Sequence, residues 1–367
     1  MLSFKKFYNL FFILLMVVVG FVSGILGALL VEEKILEVKN YNKNTDSGKH
    51  PLLYKKNGKN IEDVSWNYLK NTVAGVAKAK PETKNILNSY YLPQDILSYG
   101  FVLTDQGWIV SVLGKSTQEI DKDLVVINDG KAFPVKEKII DPVTGVVFLK
   151  ADTGDKRLSP VKLGGTEKLK LLDDLVGVDL FGNAVKFSIT NLNYFDGIIQ
   201  STEKLNRKIT VNGYLRPGTP LINENGEVIG IATGSQNQTQ EIIPVDYFKE
   251  TINKIIKGKE IARIFLGVNY IDLSEFPIDK RSKSLPTEKG ALVYALDPQK
   301  AVVSNSPAQK AGILYKDIIL SVEGEEIGVK KNLSEMFQEY KPGVEVWVEV
   351  LRKGKNKKIK VKLDKLK

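Results

Sequence analysis

Histidine is the scarcest of the side chains that could perform hydrolytic chemistry in this chain. A serine nucleophile needs a base to take its proton, and in a catalytic triad that base is a histidine oriented by a carboxylate. The 367-residue sequence has one histidine, His50. It lies in residues 32–63, a polar stretch without apolar periodicity that is typical of a flexible linker. We therefore expect no serine–histidine–aspartate triad within the folded part of one subunit.

Other catalytic and binding chemistries have little support in the sequence. A serine–lysine dyad would need a serine beside a desolvated lysine. Lysines are abundant, but the candidate serines, Ser111, Ser188 and Ser201, stand in no recognisable motif. The sequence has no cysteine, no spaced carboxylate cluster and no glycine-rich phosphate loop, so we predict no cofactor and no metal site.

The charge of the chain is strongly basic, with a formal net charge of +10. Much of the excess lies in residues 352–367, where Ile359, Val361 and Leu363 alternate with lysines. This alternation predicts a strand with one solvated face. Attraction to an anionic lipid or wall polymer is the other interpretation. Because no aromatic residues are interleaved, we do not expect a nucleic-acid partner.

Residues 10–31 are apolar and uncharged, and as a helix they are long enough to span a hydrocarbon layer of about 30 Å. Lysines precede this stretch and glutamates follow it. The positive-inside rule then places residues 1–9 in the cytoplasm and the bulk of the chain outside. A cleaved signal peptide is the alternative, but its apolar region would be shorter and followed by a small-residue cleavage site. We predict an uncleaved single-pass anchor in the cell membrane.

Residues 64–255 contain many short apolar runs separated by glycine, proline and aspartate turns. Phe101–Leu103, Leu124–Ile127 and Val146–Leu149 are examples. Regular spacing with little helix between the runs indicates an all-β barrel or sandwich. At the start of this region, Val64–Pro81 predicts a short helix and the first strand.

The stretch Val211–Ile231, VNGYLRPGTPLINENGEVIGI, predicts a strand, a tight turn and then a hairpin. Asn225-Gly226 between two apolar runs is a strong hairpin signal. The same stretch resembles the nucleophile segment of the trypsin-like serine proteases of the HtrA family, and it matches almost letter for letter at Pro220-Leu221, Asn223 and Gly226–Ile231. Further resemblances to the family follow its order at residues 98–111, 141–150, 161–164 and 242–245. They imply the double β-barrel of the trypsin-like fold.

The positions of the family's catalytic triad hold other residues in this sequence. The resemblance places Gly114 at the histidine position, Gly145 at the aspartate position and Pro217 at the serine position. Proline also lacks the backbone N–H that the nucleophile residue donates to the oxyanion hole. The glycine two residues earlier in the family is Leu215 here. The resemblance therefore implies a pseudoprotease, with no catalytic residues among these three positions.

Residues 262–367 resemble the PDZ domain of the same family and follow a stretch, residues 256–261, that we expect to act as a hinge. The resemblance rests on residues 263–268, 306–319 and 332–340, and it departs from the family at Lys316, where a glycine is usual. A PDZ domain adds the C-terminal tail of a partner as a strand and holds its carboxylate with loop N–H groups. The resemblance implies three groups of peptide-binding residues. The backbone N–H donors of the loop are Phe265, Leu266, Gly267 and Val268, and Arg263 is the cation that helps to hold the carboxylate. The apolar pocket is formed by Ile318, Leu333 and Phe337.

Together these features predict a mainly β protein, a trypsin-like double β-barrel followed by an α+β PDZ domain, with an N-terminal transmembrane helix. We expect a membrane-anchored extracytoplasmic protein that binds C-terminal or extended peptide segments, or regulates other proteins, through its PDZ groove. The resemblance also implies a homo- or hetero-trimer. The alternative is an active HtrA-like serine endopeptidase in protein quality control of the bacterial envelope.

Overall fold

The computed structural model describes residues 66–81, 86–114, 123–195, 197–236, 239–275, 285–328 and 331–366. Across these ranges, no helix combines the length and the apolar character needed to cross a bilayer. The predicted membrane anchor, the linker and His50 lie outside the described residues.

The first barrel consists of six antiparallel strands that close on themselves in the order β1-β2-β3-β6-β5-β4. Helix α1 (Trp66–Thr72) leads directly into β1, which confirms the predicted helix and first strand. The interior of the first barrel is filled by buried aliphatic and aromatic side chains from alternating strand positions. The strands are β1 (Val73–Lys78), β2 (Ile96–Val102), β3 (Trp108–Ser111), β4 (Leu124–Asn128), β5 (Lys131–Ile140) and β6 (Val147–Ala151), with 3₁₀ turns at Ile86–Ser89 and Pro93–Asp95.

The second barrel contains the predicted hairpin. Its strands pair in the order β12-β8-β9-β11-β14-β13, the pairing of β12 with β13 closes the ring, and β7 adds in parallel to β13. At the hairpin turn Gly226 has a φ of +75°, and its N–H donates to Asn223 O at 3.0 Å. The strands are β7 (Lys162–Leu163), β8 (Asp174–Val178), β9 (Ala184–Tyr194), β11 (Lys208–Asn212), β12 (Pro220–Ile222), β13 (Glu227–Gln236) and β14 (Thr239–Pro244).

The PDZ region follows a 3₁₀ turn (Val245–Tyr247) and helix α2 (Lys249–Ile256). Its main sheet has the order β10-β16-β17-β18-β20-β21, with β19 paired to β18, and β15 pairs separately with β22. One strand of this sheet, β10 (Gln200–Ser201), comes from the loop between β9 and β11 of the second barrel. The other elements are β15 (Ile264–Phe265), β16 (Asn269–Asp272), β17 (Ala291–Val293), a 3₁₀ turn (Pro298–Lys300), α3 (Pro307–Ala311), β18 (Ile318–Val322), β19 (Glu325–Glu326), α4 (Leu333–Gln338), β20 (Glu345–Arg352), β21 (Lys355–Lys362) and β22 (Asp364–Lys365).

Each of the two PDZ helices begins at a residue whose side chain caps it. The Ser306 side chain accepts a hydrogen bond from Gln309 N at the start of α3. Asn332 caps α4 in a capping box with Glu335. Between these helices Lys316 has a φ of +69°, a left-handed conformation that suits the glycine usual in the family. The lysine-rich strand β21 has the predicted two faces, since Val361 is buried while the lysines of β21 are exposed.

Candidate functional site

Two of the positions aligned with the family's triad lie at one edge of the first barrel. Gly114 lies three residues beyond the end of β3, and Gly145 lies in the turn between β5 and β6. Ser111, the last residue of β3, pairs with Val147, the first residue of β6, so the two loops leave the barrel on the same side. Gly145 has a φ of +73°, and its N–H donates to Asp141 O at 2.8 Å. A Cβ added at Gly145 would have no atom within 4 Å, so the space at the family's aspartate position is open.

The third position, Pro217, lies in the turn between β11 and β12, which packs against the first barrel. Tyr99 N donates to Pro217 O at 2.9 Å, and Gly218 N donates to Ala232 O at 2.8 Å. A Cβ on Gly218 would lie 1.8 Å from Tyr99 O and 3.1 Å from Ser111 Oγ. The turn therefore lies beside the end of β3, and only glycine fits at residue 218.

The backbone donors expected at an oxyanion hole are not available in this turn. Leu215 N donates to Gln240 Oε1 at 2.9 Å, and the Gln240 side chain is fully buried. The same amide donates from Nε2 to Glu241 O at 2.9 Å, which fixes its orientation. Pro217 has no N–H to offer. Neither of the two positions can therefore direct an N–H at a developing oxyanion without rearrangement.

The three serines considered for a serine–lysine dyad have acidic or neutral partners. Ser111 is fully buried, donates to Tyr99 O at 2.6 Å and lies 2.9 Å from the hydroxyl of Ser98. Ser188 Oγ donates to Asp174 Oδ1 at 2.9 Å. Ser201 Oγ donates to Glu203 Oε2 at 3.0 Å. Each hydroxyl donates to a carbonyl or carboxylate oxygen and not to the lysine amine that a serine–lysine dyad would require.

The PDZ groove lies between β16 and α4, and strand β10 occupies it. Gln200 pairs with Tyr270, and Ser201 pairs with Asn269, in antiparallel register. From the helix side of the groove, Ser334 Oγ donates to Ser201 O at 2.9 Å. The segment thus adds to the sheet edge as a peptide ligand would.

The ladder continues one residue further along the same segment. Thr202 N donates to Val268 O at 3.0 Å, and Thr202 O accepts from Gln338 Nε2 at 3.1 Å. The Thr202 side chain is fully buried, and its Oγ1 accepts from Val268 N at 3.1 Å. The predicted loop residue Val268 therefore contacts the occupying segment with both its N–H and its C=O.

The carboxylate of Glu203 lies against the loop 265–268 at the end of the groove. Leu266 N and Gly267 N donate to Glu203 Oε1 at 3.1 and 2.8 Å. Gly267 has a φ of +85°, and a Cβ there would lie 2.3 Å from the Cβ of Ser306. The structure therefore places the predicted donors Leu266 and Gly267 around a carboxylate, which belongs to the chain itself. Phe265 pairs with Asp364 in the β15–β22 ladder and lies outside this pair of donors.

Arg263, which was predicted to help hold a tail carboxylate, is bound to a carboxylate of the first barrel instead. Its guanidinium is buried and donates to Asp141, from Nε to Oδ1 at 3.0 Å and from Nη2 to Oδ2. Nη2 also donates to Tyr247 O at 2.8 Å. Because Asp141 belongs to the turn that carries Gly145, this pair joins the PDZ domain to the first barrel.

The predicted apolar pocket is only partly assembled. Leu333 and Phe337 are fully buried and pack in the PDZ core together with Leu266 and Val268. Ile318 is buried, but its strand β18 is separated from the groove strand β16 by β17. Side chains alternate along a strand, and the core cluster contains the next residue, Ile319, rather than Ile318.

A charged cluster holds the C-terminal end of the loop between β9 and β11 against the PDZ domain. Arg207 Nη2 lies 3.3 Å from Glu275 Oε1 and 3.3 Å from Glu335 Oε2, and all three side chains are largely buried. Tyr247 Oη donates to Glu335 Oε1 at 2.6 Å. Burial, followed by the charge of Glu335, raises the pKa of Tyr247 well above its usual 10. Burial also raises the pKa of Glu275, and the charge of Arg207 opposes that rise.

A family model described as PDZ domain matches residues 265–363. Among curated proteins, the chain is 29% identical over 304 residues to a probable periplasmic serine endoprotease, DegP-like, of Bartonella henselae. The aligned region covers 78% of this chain and 56% of the relative. It is 29% identical over 213 residues to the serine protease Do-like HtrB of Bacillus subtilis, which covers 54% of this chain and 45% of the relative. The chain is similar to serine proteases of the HtrA/DegP family, and its residues 265–363 match a PDZ domain.

Solved structures agree on the fold of this HtrA-like protein. The HtrA-type protease AlgW with decapeptide superposes with a TM-score of 0.59 at 21% identity, covering 83% of this chain and 99% of AlgW. The same protease with tripeptide gives 0.60 at 19% identity, with 83% and 98% covered. The HtrA-like chain spans about half the length of the curated relatives that it matches.

Proposed function

We propose that this HtrA-like protein is a pseudoprotease that captures peptide tails through its PDZ groove, outside the cytoplasm and anchored to the membrane. One observation carries the loss of catalysis: in the turn 215–218, Leu215 N donates to Gln240, and Pro217 has no N–H. The turn therefore has neither a nucleophile nor a preorganised oxyanion donor. Gly114 and Gly145, at the positions of the base and its orienting carboxylate, agree with this, as does the single histidine, His50.

Peptide capture is supported by the loop that follows Arg263. Leu266 N and Gly267 N converge on one carboxylate oxygen, which is the chemistry that a PDZ loop offers to a free C-terminus. The edge of β16 is filled by an extended segment in antiparallel register. The AlgW structures that share this fold contain a decapeptide and a tripeptide.

The second candidate function is serine endopeptidase activity, and the names of the curated relatives favour it. The two functions separate in one experiment. The purified full chain is treated with a serine-directed fluorophosphonate probe and, separately, with unfolded casein, beside the Bacillus subtilis HtrB protease as a positive control. We expect neither labelling nor cleavage above a blank. Either signal would overturn the pseudoprotease proposal, and the variants Ser111→Ala, Ser188→Ala and Ser201→Ala would then locate the labelled serine.

A matched variant sharpens the result. Pro217→Ser restores a hydroxyl at the family's nucleophile position but restores no base. We expect it to remain unlabelled, because an unactivated serine is a weak nucleophile.

Peptide capture is tested with the full chain and a fluorescent peptide library in two forms, with free and with amidated C-termini. We expect free C-termini to be preferred, because an amide removes the charge that the two loop N–H groups hold. Equal binding of both forms would contradict tail capture.

A further inference from the structure

The loop between β9 and β11 leaves its own barrel to reach the PDZ groove. Its residues Gln200 and Ser201 form an antiparallel ladder with β16, and Thr202 N extends that ladder to Val268 O at 3.0 Å. Ser334 and Gln338 of α4 donate to the carbonyl groups of Ser201 and Thr202 at 2.9 and 3.1 Å. The segment is therefore bound from both walls of the groove.

Glu203 provides a carboxylate at the position where a bound C-terminal tail would place its own. A C-terminal tail places its last residue at the end of the ladder and its carboxylate on the loop N–H groups. Here Thr202 ends the ladder, and the Glu203 side chain brings Oε1 within 3.1 Å of Leu266 N and 2.8 Å of Gly267 N. Its two oxygens also accept from Thr202 Oγ1 at 2.8 Å and Ser201 Oγ at 3.0 Å. A side-chain carboxylate thus occupies the place of a terminal one.

The segment is fixed on both sides of these contacts. On the N-terminal side Gln200 is buried, and its Oε1 accepts from Tyr270 Oη at 3.0 Å. On the C-terminal side Arg207 lies within 3.3 Å of both Glu275 and Glu335. These are polar contacts that a peptide from outside would have to replace.

We propose that Gln200–Glu203 is an internal ligand of the PDZ groove that competes with partner tails. The proposal rests on tail capture as the function of the groove. A free C-terminal tail and the segment 200–203 need the same two N–H groups and the same edge of β16, so they exclude each other. The groove is closed in this state of the protein, and release of the segment opens it.

The experiment measures binding of a fluorescent peptide that copies the segment and ends at a free carboxylate, Ile-Ile-Gln-Ser-Thr, as in residues 198–202. Fluorescence polarisation compares the full-length wild type with Glu203→Gln, which removes the internal charge, and Thr202→Pro, which removes the N–H given to Val268. Glu224→Gln, an exposed glutamate in the β12–β13 turn, is the matched control.

We expect the two segment variants to bind the peptide about tenfold more tightly than the wild type or the control, because each variant weakens the hydrogen bonds that hold the competing segment. The amidated peptide should gain nothing. Hydrogen exchange gives a readout without peptide: the amides of Leu266 and Gly267 should exchange about tenfold faster in Glu203→Gln.

The outcomes separate the two proposals. Equal affinity of all forms for the free peptide, with unchanged exchange at Leu266 and Gly267, overturns the internal ligand and leaves tail capture standing. Failure of every form to bind any free C-terminal peptide overturns tail capture and, with it, the competition. If Thr202→Pro does not fold, as judged by circular dichroism, Glu203→Gln alone decides, since it changes one charged oxygen and keeps the shape of the side chain.

Discussion

Arg263 at the start of the PDZ domain and Asp141 in the first barrel form a buried two-point ion pair. The aspartate side chain is fully buried and the arginine side chain is 8% exposed. The same carboxylate accepts from Val143 N at 3.1 Å and Thr144 Oγ1 at 2.9 Å, so it also shapes the turn that carries Gly145. One aspartate therefore connects the edge of the first barrel that carries Gly114 and Gly145 to the PDZ domain.

Asp141→Asn should be strongly destabilising, because it leaves the Arg263 guanidinium buried without its countercharge. We expect a loss of about 3–5 kcal/mol in the free energy of unfolding, measured by urea denaturation of the full chain. The control is Asp129→Asn, which breaks an exposed pair with Lys156 and should lose at most about 1 kcal/mol. Equal losses for the two variants would show that the buried pair contributes nothing special.

Gly267→Ala should damage the PDZ domain by more than backbone strain alone. Gly343 provides the comparison, because it has a similar φ, +87° against +85°, but a Cβ there would meet nothing within 4 Å. We expect Gly343→Ala to lose about 1–2 kcal/mol from the left-handed conformation. Gly267→Ala should lose more, because its Cβ would also clash with Ser306. Thermal unfolding of both variants measures which one loses more stability. Similar Tm values would argue against a clash between the new Cβ at residue 267 and Ser306.

Lys316→Gly should stabilise the protein, because Lys316 holds a left-handed conformation at a φ of +69° that a side chain disfavours. The relief of strain is about 1–2 kcal/mol, and the greater flexibility of glycine in the unfolded chain offsets about half of it. We therefore expect a gain of about 0.5–1 kcal/mol in urea unfolding. Lys310→Gly in helix α3 is the opposite control and should lose about 1 kcal/mol. A loss of stability in both variants would contradict the backbone strain inferred at Lys316.

Tyr247→Phe should change how stability depends on alkaline pH. The pKa of Tyr247 is raised above 10 by burial and by Glu335, so in the folded state the phenol keeps its proton where the unfolded chain releases it. By linkage, its contribution is fully present below pH 10 and is lost as the pH rises from the unfolded pKa towards the folded one. We expect wild type to exceed Tyr247→Phe in stability by about 1.5–3 kcal/mol at neutral pH, from the hydrogen bond to Glu335. The difference should shrink between pH 10 and 11 in urea unfolding, and a constant difference would contradict the raised pKa.

The features predicted from sequence were those with local patterns. The hairpin around Asn225-Gly226 and the short helix and first strand in Val64–Pro81 each have their signal within a few residues, and the structure confirms both. The loop around Gly267 was identified only through its resemblance to the PDZ domain, and its binding of a partner's tail stays a prediction.

The features missed were contacts between residues distant in sequence. Glu203 lies 64 positions from Gly267, and Arg263 lies 122 positions from Asp141, so no periodicity or motif links them. Strand β10 has only two residues, too short to alternate visibly. A lone glutamate in a polar loop is ordinarily solvated, and only the folded arrangement brings it to the N–H groups of Leu266 and Gly267.

The tethering of strand β10 at both ends has a consequence for sensitivity. A segment joined to its groove by a short loop acts at an effective concentration on the millimolar scale. A diffusing tail of equal intrinsic affinity would half-fill the groove only when it approached that concentration. The PDZ domain would therefore bind partner tails only when their concentration is high. The length and stiffness of the β9–β11 loop would set the concentration of tails that half-fills the groove.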